Sequence, residues 1–169
     1  MSFTLATWNI NSVRMREPLV VQFLQQEAPD ILCLQECKSP VELIPTEQFA
    51  ALGYPYLVAR GQKGYNGVAI LSKLPIEDAG AQDFAGLGHA RHVAERLENG
   101  VTVHNFYVPA GGDVPDRDKN EKFGQQLDYL TDMRAWFLAA PPKKSILVGD
   151  LNIAPGEDDV WSHKKLLKV

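Results

Sequence analysis

In Ser145-Ile146-Leu147-Val148-Gly149-Asp150-Leu151-Asn152 an apolar run ends abruptly on two polar side chains. Ile146, Leu147 and Val148 predict a short strand buried on both faces, as inside an α/β sheet. Gly149 breaks the run, and a carboxylate and an amide follow at i and i+2. Alternate residues of an extended backbone point to the same side. Asp150 and Asn152 can therefore face one centre while Leu151 faces away. Polar groups placed where an apolar strand runs out put chemistry on a rigid support. An Asx turn, in which the two side chains bond nearby backbone, reads the same residues without chemistry.

Two earlier strands end in the same manner. Phe3-Thr4-Leu5-Ala6-Thr7-Trp8 alternates apolar and polar residues and runs into Asn9-Ile10-Asn11, again with amides at i and i+2. The apolar run 31–34 ends on Gln35-Glu36. Between them the spacing predicts a helix over 16–27, with Leu19, Val20, Phe23 and Leu24 on one face, Pro18 in its first turn and Pro29 stopping it. Pro45 and Gly53 bracket a short helical turn holding Phe49 and Leu52. Strands are predicted over 54–59 and 67–71, with a loop over 61–66 between them and a break at 72–75. Two more, about 90–97 and 101–108, join at Glu98-Asn99-Gly100, where Asn-Gly signals a hairpin. A loop over 109–116 leads to a long helix carrying Phe123, Leu127, Leu130 and Phe137, which ends before Pro141-Pro142. Helices alternating with strands, some in hairpins, predict an α/β sandwich of mixed sheets.

The 169 residues are 45% hydrophobic and 22% charged, which suits one domain with a real core. No run approaches the apolar length that crosses a bilayer, and the N-terminus lacks a basic region followed by a long apolar stretch. The expectation is a soluble, cytoplasmic protein. Cys33 and Cys37 cannot frame a disulfide scaffold, and Cys33 is expected as a small core residue. No second Cys/His cluster at ligand spacing accompanies them, which argues against zinc. A net charge of −4 argues against broad electrostatic coating of nucleic acid, yet is compatible with a local basic groove.

Asn9 and Asn11, Glu36, and Asp150 and Asn152 thus follow three apolar strands. Such residues are expected to meet at one edge of a sheet, where α/β proteins build sites. Oxygen ligands without Cys or clustered His suit a hard cation, Mg²⁺ or Mn²⁺. Magnesium that shares its shell with waters and a substrate phosphate points to phosphoryl chemistry.

Five stretches occur in a familiar order: Thr7-Trp8-Asn9-Ile10-Asn11-Ser12, Leu34-Gln35-Glu36, Tyr65-Asn66-Gly67-Val68-Ala69-Ile70-Leu71-Ser72, Tyr107-Val108-Pro109 and Val148-Gly149-Asp150-Leu151-Asn152. Together they resemble the exonuclease III branch of the endonuclease/exonuclease/phosphatase superfamily, which includes apurinic/apyrimidinic endonucleases. The resemblance implies a deoxyribonuclease I-like sandwich of two mixed β-sheets flanked by helices. It implies a DNA repair nuclease acting on duplex DNA at 3′ ends and abasic sites, as a monomer when full length, with weak or no activity expected of the 169 residues alone. By the same resemblance Glu36 is the main metal carboxylate, with Asn9 beside it as ligand or supporting amide. Asp150 orients or deprotonates the attacking water, and Asn152 holds phosphate and water in line. Tyr107 sets its phenol against the scissile phosphate, as donor or phenolate. Asn66 resembles a residue at the rim of the site, where a plain turn residue is the competing reading. Asn11 and Arg91 are candidate phosphate contacts, with a solvated strand charge the stronger reading for Arg91.

The sequence also departs from the family. Members run well beyond this length and end in a Ser-Asp-His stretch that has no counterpart here. His163 follows Ser162 without an intervening Asp and is not assigned that role. His89, His92 and His104 are expected to be structural, and Gln125 and Gln126 stand where many relatives carry a basic residue. Residues 1–169 are therefore expected to be the N-terminal part of a single domain, with an incomplete second sheet and a partly uncovered inner face on the first. Trp161-Ser162-His163-Lys164-Lys165-Leu166-Leu167-Lys168-Val169 looks cut. Two other functions stand beside the nuclease: a phosphatase acting on a small phosphoester, and a non-catalytic binding module that kept half the fold.

Overall fold

A computed structural model describes residues 2–166; Met1 and, from the closing stretch, Leu167, Lys168 and Val169 lie outside the described residues. The first sheet contains β1 (Leu5–Asn9), β2 (Ile31–Gln35), β3 (Tyr56–Arg60) and β4 (Val68–Ser72), in the order β1-β2-β4-β3. The second contains β5 (Ile76–Gly80), β6 (His92–Leu97), β7 (Thr102–Tyr107) and β8 (Ser145–Asp150), in chain order. Helix α1 (Glu17–Gln26) carries the β1–β2 crossover, and α2 (Thr46–Ala51) precedes β3. Helix α3 (Glu121–Ala139) carries the β7–β8 crossover, and a last short helix, α4, spans His163–Leu166.

Both sheets are mixed, because each holds one helical crossover and at least one hairpin. β1 pairs parallel with β2, and β7 with β8; the other ladders are antiparallel. The β6–β7 hairpin turns at Asn99-Gly100, where Gly100 takes φ +81° and the Asn99 side chain accepts the Val101 amide. Between the sheets lie Ile31, Cys33, Val68, Ile70, Val93 and Val103, all fully buried. At about 1.5–3 kcal/mol for each large aliphatic side chain, this layer is a main source of stability. Polar side chains stitch it together. Asn105 donates to the Leu34 and Ala69 carbonyls, and Gln35 donates to Asn105 Oδ1 at 2.7 Å.

Several expectations need correction. The inner face of the first sheet is covered, because the chain itself supplies four strands to the second. What stays open is the outer edge of β8, whose one neighbour in the sheet among the described residues is β7. Ile146 and Leu147 are accordingly exposed rather than buried on both faces. Strand β5 escaped the pattern reading, since Ile76-Glu77-Asp78-Ala79-Gly80 is a polar edge strand of poor β-formers, with a register shift between Asp78 and Gly80. On α3 the seam against the sheet is Gln126, Tyr129, Leu130, Met133, Trp136 and Phe137, which keeps Leu130 and Phe137 of the expected line and leaves out Phe123 and Leu127. His92 and His104 stack in that layer, with ring centroids 5.4 Å apart, and burial pushes His92 down to about 3.

Candidate functional site

The two parallel pairs run in one direction, and their C-terminal ends meet. In the first sheet Asn9 is opposite Gln35, so Glu36 follows immediately beyond the ladder. In the second, Tyr107 is opposite Asp150. Asn9 Nδ2 donates to Glu36 Oε1 at 3.0 Å and to Asp150 Oδ2 at 2.8 Å, joining carboxylates of different sheets through one amide. Tyr107 brings its phenol to the same Glu36 carboxylate.

Local backbone explains how each group is aimed. Glu36 has φ +52°, an uncommon conformation for a residue with a Cβ. It is held by Ser12 N donating to its carbonyl at 2.7 Å, and by Cys37 and Lys38 amides donating to the Gly67 and Asn66 carbonyls. Gly149 has φ +137°, and a Cβ there would collide with the Phe106 carbonyl. Only glycine lets β8 approach β7 at the point where Asp150 must emerge.

The two readings of Asp150 and Asn152 prove compatible, though not as an extended pair. The strand stops at Asp150, and Asn152 is left-handed at φ +49°. Asp150 Oδ1 accepts the Asn152 amide at 3.1 Å as an Asx turn, while Oδ2 takes Asn9. Asn9 repeats the arrangement, its Oδ1 accepting the Asn11 amide. Asn152 Nδ2 donates to the Val108 carbonyl, and its own carbonyl accepts from Gln126 on α3.

The remaining candidates fall at different depths. Asn11 lies at the open side, its Oδ1 receiving Lys38 Nζ. Asn66 is buried behind the site, with its side chain donating to Gln62 and its carbonyl holding Lys38 N. Arg91 is no solvated strand charge: it precedes β6, and its guanidinium lies over the Tyr107 ring, 4.6 Å from the centroid. Lys38 was missed by the sequence reading, and Gln126 was noted there only for the lack of a basic residue, not for its bond to the Asn152 carbonyl. A lysine two residues after Glu36 and a glutamine on a helix carry no signal of their own.

Burial works to raise the Glu36 carboxyl, but hydrogen bonds from Lys38, Asn9 and Tyr107 outweigh it and hold the group below its usual range. Lys38 Nζ is 2.8 Å from Glu36 Oε2. Burial, together with the Glu36 carboxylate it faces, pushes the Tyr107 phenol up to about 12, against the opposing pull of Arg91. Among the described residues no three His, Cys, Asp or Glu side chains cluster as a metal set. Magnesium needs less than that: one or two carboxylates, with waters filling the shell. Two carboxylates at one point, with the Lys38 ammonium already drawn to one of them, fit a hard divalent cation, while Asn9 turns its Nδ2 to both acids and its Oδ1 to the Asn11 amide.

A trough of about 790 Å³ opens beside the site, sharing Asn11 and Lys38 with it and adding Arg14, Arg16 and Lys63. It is the local basic groove that a net charge of −4 left open.

The comparisons agree with this architecture. Exodeoxyribonuclease III of Haemophilus influenzae is 29% identical over 168 residues, covering 91% of this chain and 59% of the relative. The structure of an AP endonuclease from Archaeoglobus fulgidus superimposes with a TM-score of 0.86 at 33% identity, over 98% of this chain and 63% of that one. A 3′ phosphatase from Neisseria, solved with a product DNA hairpin, gives 0.82 at 31%, over 97% and 63%. The chain therefore spans about three fifths of the length of these relatives. The Endonuclease/Exonuclease/phosphatase family matches residues 6–169, and the chain belongs to that family.

Proposed function

We propose that the protein is a DNA repair nuclease that hydrolyses phosphodiester bonds with a divalent cation, Mg²⁺ or Mn²⁺. It removes nucleotides from 3′ ends of duplex DNA and cuts the backbone at abasic sites, as a monomer in the cytoplasm. The observation that carries this reading is the Asn9 amide bonded to both Glu36 and Asp150. Two acids that a chain normally keeps apart are held at one point, beside a phenol and a basic trough.

Glu36 and Asn9 are the residues that would hold the cation, which when bound supplies charge stabilisation to the phosphate. Asp150 accepts a proton from the attacking water, since one of its oxygens is fixed by the Asx turn and the other faces the cluster. Asn152, anchored through Val108 and Gln126, keeps water and phosphate in line. Burial and the Glu36 carboxylate push the Tyr107 phenol up to about 12, which supports its acting as a hydrogen-bond donor to a phosphate oxygen. Asn11 and the trough receive the flanking backbone, with Asn66 supporting the loop that carries Lys38.

The names of the relatives support DNA over a small phosphoester. The test is cleavage by this protein of three substrates, each with Mg²⁺ and with chelator: an abasic-site duplex, a duplex with a 3′-phosphate, and a soluble phosphoinositide. Mg²⁺-dependent cutting of the duplexes is expected. Turnover of the phosphoinositide alone would refute the nuclease reading, and chelator-resistant binding without cutting would favour a non-catalytic module.

A further inference from the structure

Arg91 and Tyr107 are paired more closely than a chance neighbourhood requires. They lie one step beyond the β6–β7 ladder, where His92 is opposite Phe106. Tyr107 N donates to the Arg91 carbonyl at 2.8 Å, and Arg91 Nη1 donates back to the Tyr107 carbonyl at 3.2 Å. The guanidinium covers the face of the phenol ring, and Tyr129 on α3 donates its hydroxyl to the same Arg91 carbonyl at 3.3 Å. Arg91 Nε is buried and has no hydrogen-bond partner. Its side chain is therefore placed by the ring and one carbonyl, and among the described residues no carboxylate forms an ion pair with it.

We propose that Arg91 is a positioning residue for Tyr107: its guanidinium clamps ring and backbone so that the hydroxyl stays on the Glu36 side of the site. The proposal rests on the reading of Tyr107 as the donor to the scissile phosphate. The Arg91 guanidinium holds the face of the ring, and the hydroxyl is directed towards the Glu36 carboxylate. Losing the guanidinium leaves the phenol free to turn about χ1 and χ2. A planar fork stacks on a ring and bonds a carbonyl at once, whereas an ammonium on a flexible stem does one or the other. Lysine at this position therefore keeps the charge and loses the clamp. A residue that gripped DNA phosphate would behave differently, since lysine serves that purpose well.

The test compares Arg91→Lys, Arg91→Met and Tyr107→Phe, singly and combined, with two readouts. Protein carrying ¹³Cζ-tyrosine reports ring mobility directly, and Tyr107→Phe assigns the signal. Arg91→Lys is expected to broaden the Tyr107 resonance and leave Tyr54, Tyr56 and Tyr65 unchanged. A sharp, unshifted Tyr107 signal in Arg91→Lys would overturn the proposal. In duplex cleavage, Arg91→Lys should lose roughly 10- to 100-fold in kcat with KM and salt dependence unchanged, the scale of a misplaced reacting group. In the Tyr107→Phe background the same change should cost almost nothing, because coupled residues are not additive. A loss that persists in that background, or that falls on KM and salt slope, makes Arg91 a phosphate contact and overturns the proposal. If Tyr107→Phe cleaves like the wild type, the reading of Tyr107 fails, and the resonance alone decides whether Arg91 holds the ring.

Discussion

Glu95 offers a quantitative test of the inter-sheet core. It shares the inward face of β6 with Val93 and Leu97, is fully buried, and neither carboxylate oxygen has a hydrogen-bond partner. Burial pushes its carboxyl up from 4.5 to about 8, so it is a neutral acid at neutral pH. Because the folded-state value is raised, its contribution to stability is complete below pH 4.5 and is lost as pH rises towards 8. Between pH 5 and pH 8 that loss amounts to about 3 kcal/mol, at about 1.4 kcal/mol per pH unit of separation. Glu95→Gln keeps the shape and cannot ionise. Urea unfolding of wild type and Glu95→Gln at pH 5, 6, 7 and 8 isolates the effect, since the titrations of His92 and His104 are common to both and cancel. The variant should gain on the wild type by about 3 kcal/mol across that range, or roughly 6–12 °C in Tm for a chain of this size. A difference between the two proteins that stays constant with pH would refute the buried neutral acid.

Other expectations are equally direct. Asn105→Ala leaves the Leu34 and Ala69 carbonyls and a Gln35 donor unpaired between the sheets; a loss of about 3 kcal/mol is expected in urea unfolding, at about 1–3 kcal/mol for each stranded buried group. Gly149→Ala forces a Cβ into the Phe106 carbonyl and should cost more than ~1 kcal/mol while accelerating hydrogen exchange along β8. Asn9→Ala removes the bridge between Glu36 and Asp150, and calorimetric titration should show weaker Mg²⁺ or Mn²⁺ binding with stability little changed.

How far the sequence could be read follows from which interactions are local. The apolar runs of β2 and β4, the α1 stripe and the Asn99-Gly100 hairpin depend on neighbours in the chain, and they were legible. The meeting of Asn9, Glu36 and Asp150 was legible too, because each sits where a strand ends, whereas Tyr107 came only from the family resemblance. Strand β5 was not, since its pairing with β6 supplies what its own residues lack. The exposure of Ile146 and Leu147 was misread for a similar reason: an apolar run cannot say how many neighbours its strand has. The i, i+2 spacing of Asp150 and Asn152 allowed an extended pair or an Asx turn; the turn sets it, and the Asp150 carboxylate also reaches Asn9. Lys38, Gln126 and the Arg91 stack arise only from tertiary contact. Side chains at strand ends were therefore easier to find than those that hold them in place.

The most direct test of a shared centre at the strand ends is the single-turnover rate of abasic-duplex cleavage at saturating Mg²⁺, for wild type and Asp150→Asn. The variant keeps the oxygen that closes the Asx turn and loses the proton acceptor. A fall of about 10²- to 10⁴-fold is expected, the range for removing a general base. Cleavage by Asp150→Asn at the wild-type rate would contradict the account.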